Sequence, residues 1–168
     1  MRFAYADPPY IGCAKLYKDH PQHMLYDTIH GHAMLLQRLQ DEYPDGWAYS
    51  CNPGHIAAVS QYINVNHRIM CWAKSFAVFK PNVGLAYTWE PVFLAGGRNI
   101  TRQQPTVRDH LVCPITLKKG LTGAKPEEFC RWILKALNYE KGDTLDDLFP
   151  GTGVMGRMVE EHEGRMFA

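Results

Sequence analysis

The sequence lacks the long apolar runs of a membrane protein. Within its 168 residues no apolar stretch approaches the roughly 18 residues that a helix needs to cross a bilayer. Its first residues also lack the charged and then apolar segments of a secretory leader. We therefore expect a protein that neither spans a membrane nor is secreted, with a cytoplasmic location.

The sequence lacks closely spaced cysteine pairs, and this distribution argues against two further classes of protein. The five cysteines are odd in number and widely spaced, and none forms a CxxC pair. This pattern argues against a disulfide framework and against a zinc knuckle. Four of the eight histidines fall between residues 20 and 32, without carboxylates at a matching spacing. We therefore expect no metal site.

Neither sign of charge is in large excess. The formal net charge is +1, so overall electrostatics neither require nor exclude a polyanionic partner. A nucleic-acid site would have to be a local basic patch. Hydrophobic residues make up 46% of the chain and aromatic residues 12%, which is sufficient for one buried core. We expect residues 1–168 to form a single domain.

Patterns typical of strands alternate with patterns typical of helices along the chain. Such alternation predicts an α/β fold with a mainly parallel sheet and helices on both faces. Residues 98–124 lack a regular pattern and are predicted to be mostly loop. The predicted strands are 2–6, 47–51, 68–74, 91–97, 144–149 and 164–168, and the predicted helices are 32–43, 55–63, 126–137 and 151–163.

Two motifs follow predicted strands, at the sheet edge where α/β proteins bind ligands. The first is Asp7-Pro8-Pro9-Tyr10, whose proline pair ends the strand in a stiff conformation. The second is the G-x-G-x-x-G turn at residues 151–156. A nicotinamide-dependent oxidoreductase is the weakest interpretation of this turn, because no acidic residue follows it at about 20 positions to hold a ribose.

Four motifs occur in a characteristic order. They are D-P-P-Y at 7–10, W-A-K with later P-N and Y-T-W-E-P between 72 and 91, K-P-E-E at 125–128, and D-L-F-P-G-T-G at 147–153. With these motifs the sequence resembles the amino-group methyltransferases of DNA, which make N6-methyladenine or N4-methylcytosine from S-adenosylmethionine. A catalytic motif before the cofactor motif is similar to the circularly permuted beta subclass. Trp89 stands where many members have histidine.

The resemblance implies a shortened, circularly permuted, Rossmann-like methyltransferase fold in one domain. Residues 1–97 would form the catalytic half and residues 125–168 the cofactor-binding half. The irregular basic loop at 98–124 would be the candidate for target recognition. The small size would suit a compact viral or phage genome, and either a monomer or a homodimer is compatible with the sequence.

The resemblance also assigns roles to individual residues. The Asp7 carboxylate and the Pro8 carbonyl would hold the target amine, and Tyr10 would stack on the base. The predicted catalytic residues are Asp7, Pro8, Pro9 and Tyr10, and Glu90 is a weaker candidate on the cofactor side. The predicted cofactor-binding residues are Asp7, Lys125, Pro126, Asp147, Phe149, Gly151, Thr152 and Gly153. The predicted phosphate contacts are Arg98, Arg102, Arg108, Lys118 and Lys119, all in the basic loop.

We therefore expect transfer of a methyl group from S-adenosylmethionine to the N6 amine of adenine in DNA. The aspartate of D-P-P-Y favours adenine over cytosine by its association with the family. Three alternatives remain open besides the oxidoreductase: N6-adenine methylation of RNA, N4-cytosine methylation of DNA, and a non-catalytic nucleic-acid-binding module that has kept the fold. The base would have to be flipped or unpaired to enter the D-P-P-Y pocket.

Overall fold

The computed structural model has an α/β fold and describes residues 1–18, 23–76, 82–117 and 123–164. Short 3-10 helices cover Ala14–Tyr17, Leu25–Asp27 and Pro53–His55. The strands are β1 (Arg2–Ala6), β2 (Gly46–Ser50), β3 (His67–Ala73), β4 (Trp89–Gly96), β5 (His110–Val112) and β6 (Thr144–Asp147). The helices are α1 (Ile29–Glu42), α2 (Ile56–Ser60), α3 (Glu127–Ala136) and α4 (Val154–His162).

All of these strands belong to one sheet, in the order β5-β3-β4-β2-β1-β6. Strand β4 runs antiparallel to both of its neighbours, and every other pairing is parallel. The prediction of a mainly parallel sheet is therefore confirmed. Strands β1 and β6 are neighbours with Tyr5 opposite Asp147, so the two motifs found in the sequence follow adjacent parallel strands.

Helices cover both faces of the sheet, as predicted. Because side chains alternate along a strand, β1 directs Phe3 and Tyr5 to one face and Ala4 and Ala6 to the other. Phe3 and Tyr5 belong to a core cluster that includes residues of α3 and α4. Ala4 and Ala6 belong to a second cluster, with residues of α1 and α2. β1 is thus buried on both sides.

Several boundaries differ from the predictions for physical reasons. Helix α1 begins three residues earlier than predicted, because the Thr28 side chain accepts a hydrogen bond from the Gly31 N–H and caps the helix. The predicted helix 55–63 is divided into a 3-10 turn and the shorter α2. Of the predicted strand 164–168, Gly164 lies in a turn with φ of +73°, and the remaining residues lie outside the described part of the chain.

Where the structure describes residues 98–124, they are mostly loop, as predicted, apart from one short strand. Strand β5 lies within this segment and pairs in parallel with β3, with Leu111 opposite Trp72. Three residues are too few for an alternating pattern to be recognised in a sequence. The pairing is set by the neighbouring strand, and the Trp72 indole N–H also donates to the Cys113 carbonyl at 3.1 Å.

Asp143, which precedes β6, joins three parts of the chain. Its carboxylate is almost fully buried and accepts hydrogen bonds from the Met1 amine at 2.6 Å and from the Arg98 guanidinium at 2.7 Å. Burial alone would raise the pKa of Asp143, but these donors outweigh burial and lower the pKa to about 2. The ionised form is therefore more stable in the folded protein than in the unfolded chain.

Asp143 is expected to make the fold sensitive to acid. A carboxylate with a lowered pKa stabilises the fold above its unfolded pKa, and this stabilisation is lost as the pH falls from about 4 towards 2. The expected loss is about 2 kcal/mol of unfolding free energy. Denaturant unfolding of Asp143→Asn should show lower stability at pH 7 and a weaker dependence between pH 4 and 2. Glu160→Gln, which changes an exposed carboxylate, is the control. An Asp143→Asn profile parallel to that of the parent would contradict this role.

Candidate active site

A cavity of about 900 Å³ lies at the edge of the sheet where the parallel strands end. Asp7 follows β1, residues 52–55 follow β2, and Lys74 follows β3. Because β4 is antiparallel, its first residues, Trp89 and Glu90, reach the same edge. The position agrees with the rule that α/β sheets bind ligands beyond the carboxyl ends of their strands. The volume lies in the upper part of the usual range for ligand pockets, about 300–1,000 Å³.

The D-P-P-Y segment leaves the sheet directly into this cavity. Pro8 and Pro9 are buried, whereas Asp7 and Tyr10 are partly exposed and line the cavity wall. Proline fixes φ and has no N–H to continue the sheet ladder, so the pair ends β1 in one conformation. The Tyr10 carbonyl accepts a hydrogen bond from the Cys13 N–H at 2.8 Å, which closes the turn. The Asp7 carboxylate is therefore held on a rigid segment.

Four charged side chains form a network at the inner end of the cavity. The Lys125 ammonium lies 2.9 Å from Asp7 Oδ1 and 2.8 Å from Glu90 Oε2. The Lys74 ammonium lies 2.6 Å from Glu90 Oε1. The two carboxylates and two ammonium groups balance in charge, which is the condition under which buried ions are tolerated. We call Asp7, Lys74, Glu90 and Lys125 the charge network.

The Tyr10 hydroxyl is bound to the charge network from three directions. It lies 2.8 Å from Glu90 Oε2 and 3.2 Å from Asp7 Oδ1, and it accepts a hydrogen bond from Lys125 Nζ at 3.2 Å. A hydroxyl has one proton, so the two carboxylates compete for it. The result is a tyrosine ring that is fixed at its polar end while the ring itself lines the cavity.

The network shifts the pKa values of its members in different directions. Burial raises the pKa of Asp7, Lys125 opposes this rise, and the charge of Glu90 adds to it. Burial would also raise the pKa of Glu90, but the two lysines outweigh it and lower that pKa to about 2. Burial would lower the pKa of Lys125, but Asp7 and Glu90 raise it. Glu90 and Lys125 therefore stay charged, whereas burial disfavours the charged form of Asp7 and raises its pKa.

The predicted cofactor loop follows β6, beside D-P-P-Y. Asp146 is engaged by the Arg2 guanidinium at 2.7 Å and the Tyr43 hydroxyl at 2.8 Å. Asp147 accepts a hydrogen bond from the Phe149 N–H at 3.2 Å. Burial raises the pKa of Asp147 to about 6, the Phe149 N–H opposes this rise, and the nearby Asp7 charge adds to it. Of the two aspartates, Asp147 is therefore the one whose charge lies near D-P-P-Y.

The glycines of this loop have left-handed backbone conformations, with φ of +48° at Gly151 and +70° at Gly153. A side chain at either position would be strained. A Cβ added at Gly153 would meet no atom within 4 Å, so the space before α4 is open. Thr152 lines a second cavity of about 110 Å³ that shares Lys125 with the larger one. Asp147, Phe149, Gly151 and Gly153 line neither cavity.

These features are chemically compatible with a cationic nucleoside cofactor. An anionic carboxylate, Asp147, lies beside a glycine turn with open space in front of it. Within the described residues, the only hydrogen bond to its side chain comes from the adjacent Phe149 N–H. Because a carboxylate has about four acceptor sites, Asp147 can still bind a cationic or hydroxyl group. Lys125 lines both cavities, and Pro126 follows it directly as the residue before α3.

The structure gives Arg98 a partner inside the protein. Its guanidinium binds Asp143 and lies 3.3 Å from Glu140, which ties the end of β4 to the segment before β6. We therefore remove it from the predicted phosphate contacts, because its charge is already compensated. Arg102 and Arg108 are exposed, as a phosphate contact requires. The predictions for Lys118 and Lys119 lie outside the described residues.

Sequence reasoning underestimated two members of the charge network. Lys74 was noted only as part of the W-A-K stretch, and Glu90 was a weak candidate. In the sequence, each of these two residues is a charged residue at one end of a predicted apolar strand, on the edge where α/β sheets bind ligands. This position could have indicated a functional role. His55, which also lines the large cavity, has a buried Nδ1 without a hydrogen-bond partner among the described residues. No feature of the sequence pointed to it.

Within the described residues, no cluster of three or more His, Cys, Asp or Glu side chains could hold a metal ion. None of the described helices has the length and apolar character that a membrane span requires.

Comparison with solved structures identifies the fold. The crystal structure of the M1.HpyAVI-SAM complex matches this chain with a TM-score of 0.60 over 96% of this chain and 77% of that one. This chain has the fold of that protein. Sequence identity is only 13%, so the likeness concerns the fold and not individual residues. No protein-family model matches the sequence, and no curated protein does either.

Proposed function

We propose that this protein transfers a methyl group from S-adenosylmethionine to the exocyclic N6 amine of adenine in DNA. The observation that carries the proposal is the Asp7 carboxylate, rigidly held by a proline pair at a large cavity and next to a glycine turn. Support comes from the fold likeness to a protein solved with SAM and from the order of the four sequence motifs. We assign the chain to the permuted beta arrangement, with the catalytic strand β1 before the cofactor strand β6.

Asp7 and Pro8 would activate the amine by accepting hydrogen bonds from its two N–H groups. The lone pair of an exocyclic amine is delocalised into the ring, which makes the amine a poor nucleophile. A carboxylate and a backbone carbonyl that bind the two hydrogens would turn this lone pair away from the ring and towards the methyl donor. Because both acceptors belong to a rigid segment, little reorganisation is needed during the reaction.

Tyr10 would support the face of the base. Its hydroxyl is held by the charge network, so the ring has one fixed orientation in the cavity. Stacking of a base on an aromatic side chain contributes about 1–3 kcal/mol. Removal of a base from a duplex costs about a few kcal/mol. Stacking on Tyr10 offsets part of this cost.

Residues of the β6 loop would hold the cofactor, which supplies the methyl group. Asp147 offers a carboxylate near D-P-P-Y, and Gly151 and Gly153 leave the backbone accessible before α4. We assign Phe149, Thr152, Lys125 and Pro126 to the surroundings of the same site. Asp7, opposite in charge to a sulfonium ion, would face the reactive end of the cofactor.

The test is methyl transfer from labelled S-adenosylmethionine to unmethylated DNA, followed by digestion to nucleosides and mass spectrometry. We expect N6-methyl-2′-deoxyadenosine as the product. N4-methyl-2′-deoxycytidine would contradict the assignment of the base. The absence of any methylated nucleoside, from a folded protein supplied with both duplex and single-stranded DNA, would contradict the proposed activity itself.

Cofactor binding is expected to weaken in mild acid through Asp147. Its pKa of about 6 means that the carboxylate is mostly ionised at pH 7.5 and mostly protonated at pH 5.5. Only the ionised form attracts a cation, so calorimetry should give an affinity about fourfold lower at pH 5.5. Asp147→Asn should bind more weakly at pH 7.5 and show a smaller pH effect.

Asp146→Asn is the matched control for this measurement, because the Asp146 carboxylate is bound by Arg2 and Tyr43. It should keep the pH dependence of the parent protein. A pH dependence in Asp147→Asn equal to that of the parent would show that Asp147 does not face the cofactor.

A further inference from the structure

The opening of the large cavity is surrounded by exposed apolar side chains. Several residues that line the cavity also present more than a third of their surface to solvent, so they belong to its rim. Contiguous apolar groups of this kind on a soluble protein indicate a binding surface. The rim residues are Leu16 (55% exposed), Val83 (40%), Tyr87 (55%), Trp89 (36%) and Leu117 (69%).

Two of the rim residues are aromatic and come from the same segment. Tyr87 precedes β4 and Trp89 begins it, directly before Glu90 of the charge network. The other three tryptophans, Trp47, Trp72 and Trp132, are buried. Trp89 therefore differs from the other tryptophans, which all belong to the core. The aromatic pair lies beside the site assigned to the target base.

The charges of the cavity do not favour a polyanion inside it. Lys74 and Lys125 are compensated by Asp7 and Glu90, so the charge network is neutral. Positive charge is found instead at the rim. Lys15 and Lys18 are exposed and flank Leu16 and Tyr17, two residues of the cavity wall. Neither lysine forms an ion pair with a residue that the structure describes.

We propose that the rim binds single-stranded DNA, with Tyr87 and Trp89 stacking on unpaired bases beside the target and Lys15 and Lys18 contacting phosphates. This inference rests on the proposed function and specifies the form of its substrate. Aromatic faces can stack on bases only where these are unpaired, whereas the bases of an intact duplex already stack on each other. Aromatic side chains combined with positive charge along a groove are the usual means of binding single strands.

A duplex is less compatible with this surface. Proteins that bind duplex DNA derive much of their affinity from many lysine and arginine contacts to phosphates. Here the net charge is only +1, and Arg98 is engaged by Asp143. Exposed leucine, valine and aromatic side chains at the rim gain nothing from a duplex surface of phosphates and sugars.

The test is fluorescence anisotropy with a labelled 12-nucleotide single strand of mixed sequence, and with the blunt duplex of the same sequence. We expect the single strand to bind at least tenfold more tightly than the duplex. Tyr87→Ala and Trp89→Ala should each weaken single-strand binding about tenfold, within the range of about 1–3 kcal/mol for a stacked base. Circular dichroism of each variant verifies that it is folded.

Tyr62→Ala is the matched control, because Tyr62 is also exposed (39%) but does not line the cavity. It should leave the affinity unchanged. A second readout is the intrinsic fluorescence of Trp89, which stacking should quench; Trp89→Ala should abolish the quenching. The proposal is overturned if the duplex binds as tightly as the single strand, or if Tyr87→Ala and Trp89→Ala bind like Tyr62→Ala.

Binding is measured without cofactor, so its outcome is separate from that of the methyl-transfer assay. Methylation of duplex DNA together with equal binding of both forms would leave the proposed function intact and overturn the role of the rim. Stacking-dependent binding of the single strand without any methyl transfer would support the rim and contradict the proposed activity.

Discussion

Replacement of Asp7 by alanine is expected to lower the rate of methyl transfer about 10³-fold, the loss seen when a preorganised polar group at a reacting atom is removed. In our proposal no other side chain can accept the hydrogen bond that the target amine donates to Asp7. The fold should survive, because Lys125 keeps Glu90 as a partner at 2.8 Å. Turnover of labelled S-adenosylmethionine, measured at saturating cofactor, would give the change in kcat.

Two further variants define the effect of Asp7→Ala. Asp7→Asn keeps a carbonyl acceptor without the charge, so its loss of activity should be smaller. Asp41→Ala, at an exposed position of α1, should behave like the parent protein. Activity of Asp7→Ala within about tenfold of the parent, in a protein of unchanged melting temperature, would remove Asp7 from the mechanism.

Replacement of Lys125 by methionine is expected to have the largest effect on stability. The variant leaves the Asp7 carboxylate without its lysine and Glu90 with Lys74 alone. Removal of one partner from a buried ion pair typically costs about 3–5 kcal/mol. Unfolding in urea at pH 7.5 should show this loss. The loss should shrink as the pH falls, because a protonated carboxyl group needs no counter-ion.

The double variant Lys125→Met with Asp7→Asn tests the cause of this loss. It removes one positive and one negative charge, so the remaining charges, Lys74 and Glu90, still form an ion pair at 2.6 Å. We expect it to recover much of the stability of the single variant. The single variant could prove as stable as the parent, or the double variant could recover no stability. Either result would show that the charge balance of the network does not contribute to the stability of the fold.

Lys125→Met should also change the pH dependence of any remaining activity. Lys125 holds down the pKa of Asp7, which burial raises. Without Lys125 this pKa rises further, so Asp7 becomes protonated at a higher pH than in the parent protein. The acid limb of the pH–rate profile should therefore move to higher pH. An effect of Lys125 through packing alone would lower the rate without moving this limb.

The sequence predicted the elements whose signals are local. β1 and β2 are buried apolar runs, and the amphipathic pattern of α3 begins after Pro126 with two acids in its first turn. The glycine turn before α4 was predicted for the same reason, because a left-handed conformation requires glycine at Gly153. In each case a short stretch of sequence contains the physical cause.

What the sequence did not reveal depends on partners that are distant along the chain. β5 exists because β3 offers it a pairing edge. Arg98 was predicted as a phosphate contact, and only the folded chain brings Asp143 to its guanidinium. The importance of Glu90 arises from lysines that lie 16 and 35 positions away. Residue type alone cannot distinguish a compensated charge from a free one.

The pairing of β1 with β6 also determines when the two halves of the proposed site can come together during synthesis. Arg2 and Asp146, which bind each other across this pair, are separated by 144 positions in the chain. Contacts of such long range slow folding, because a large loop must close before they form. During synthesis on the ribosome, D-P-P-Y is therefore made before β6 and the glycine turn that follows it. The two halves of the proposed site meet only when synthesis has passed residue 153, so a truncated translation product would carry D-P-P-Y without the turn beside it.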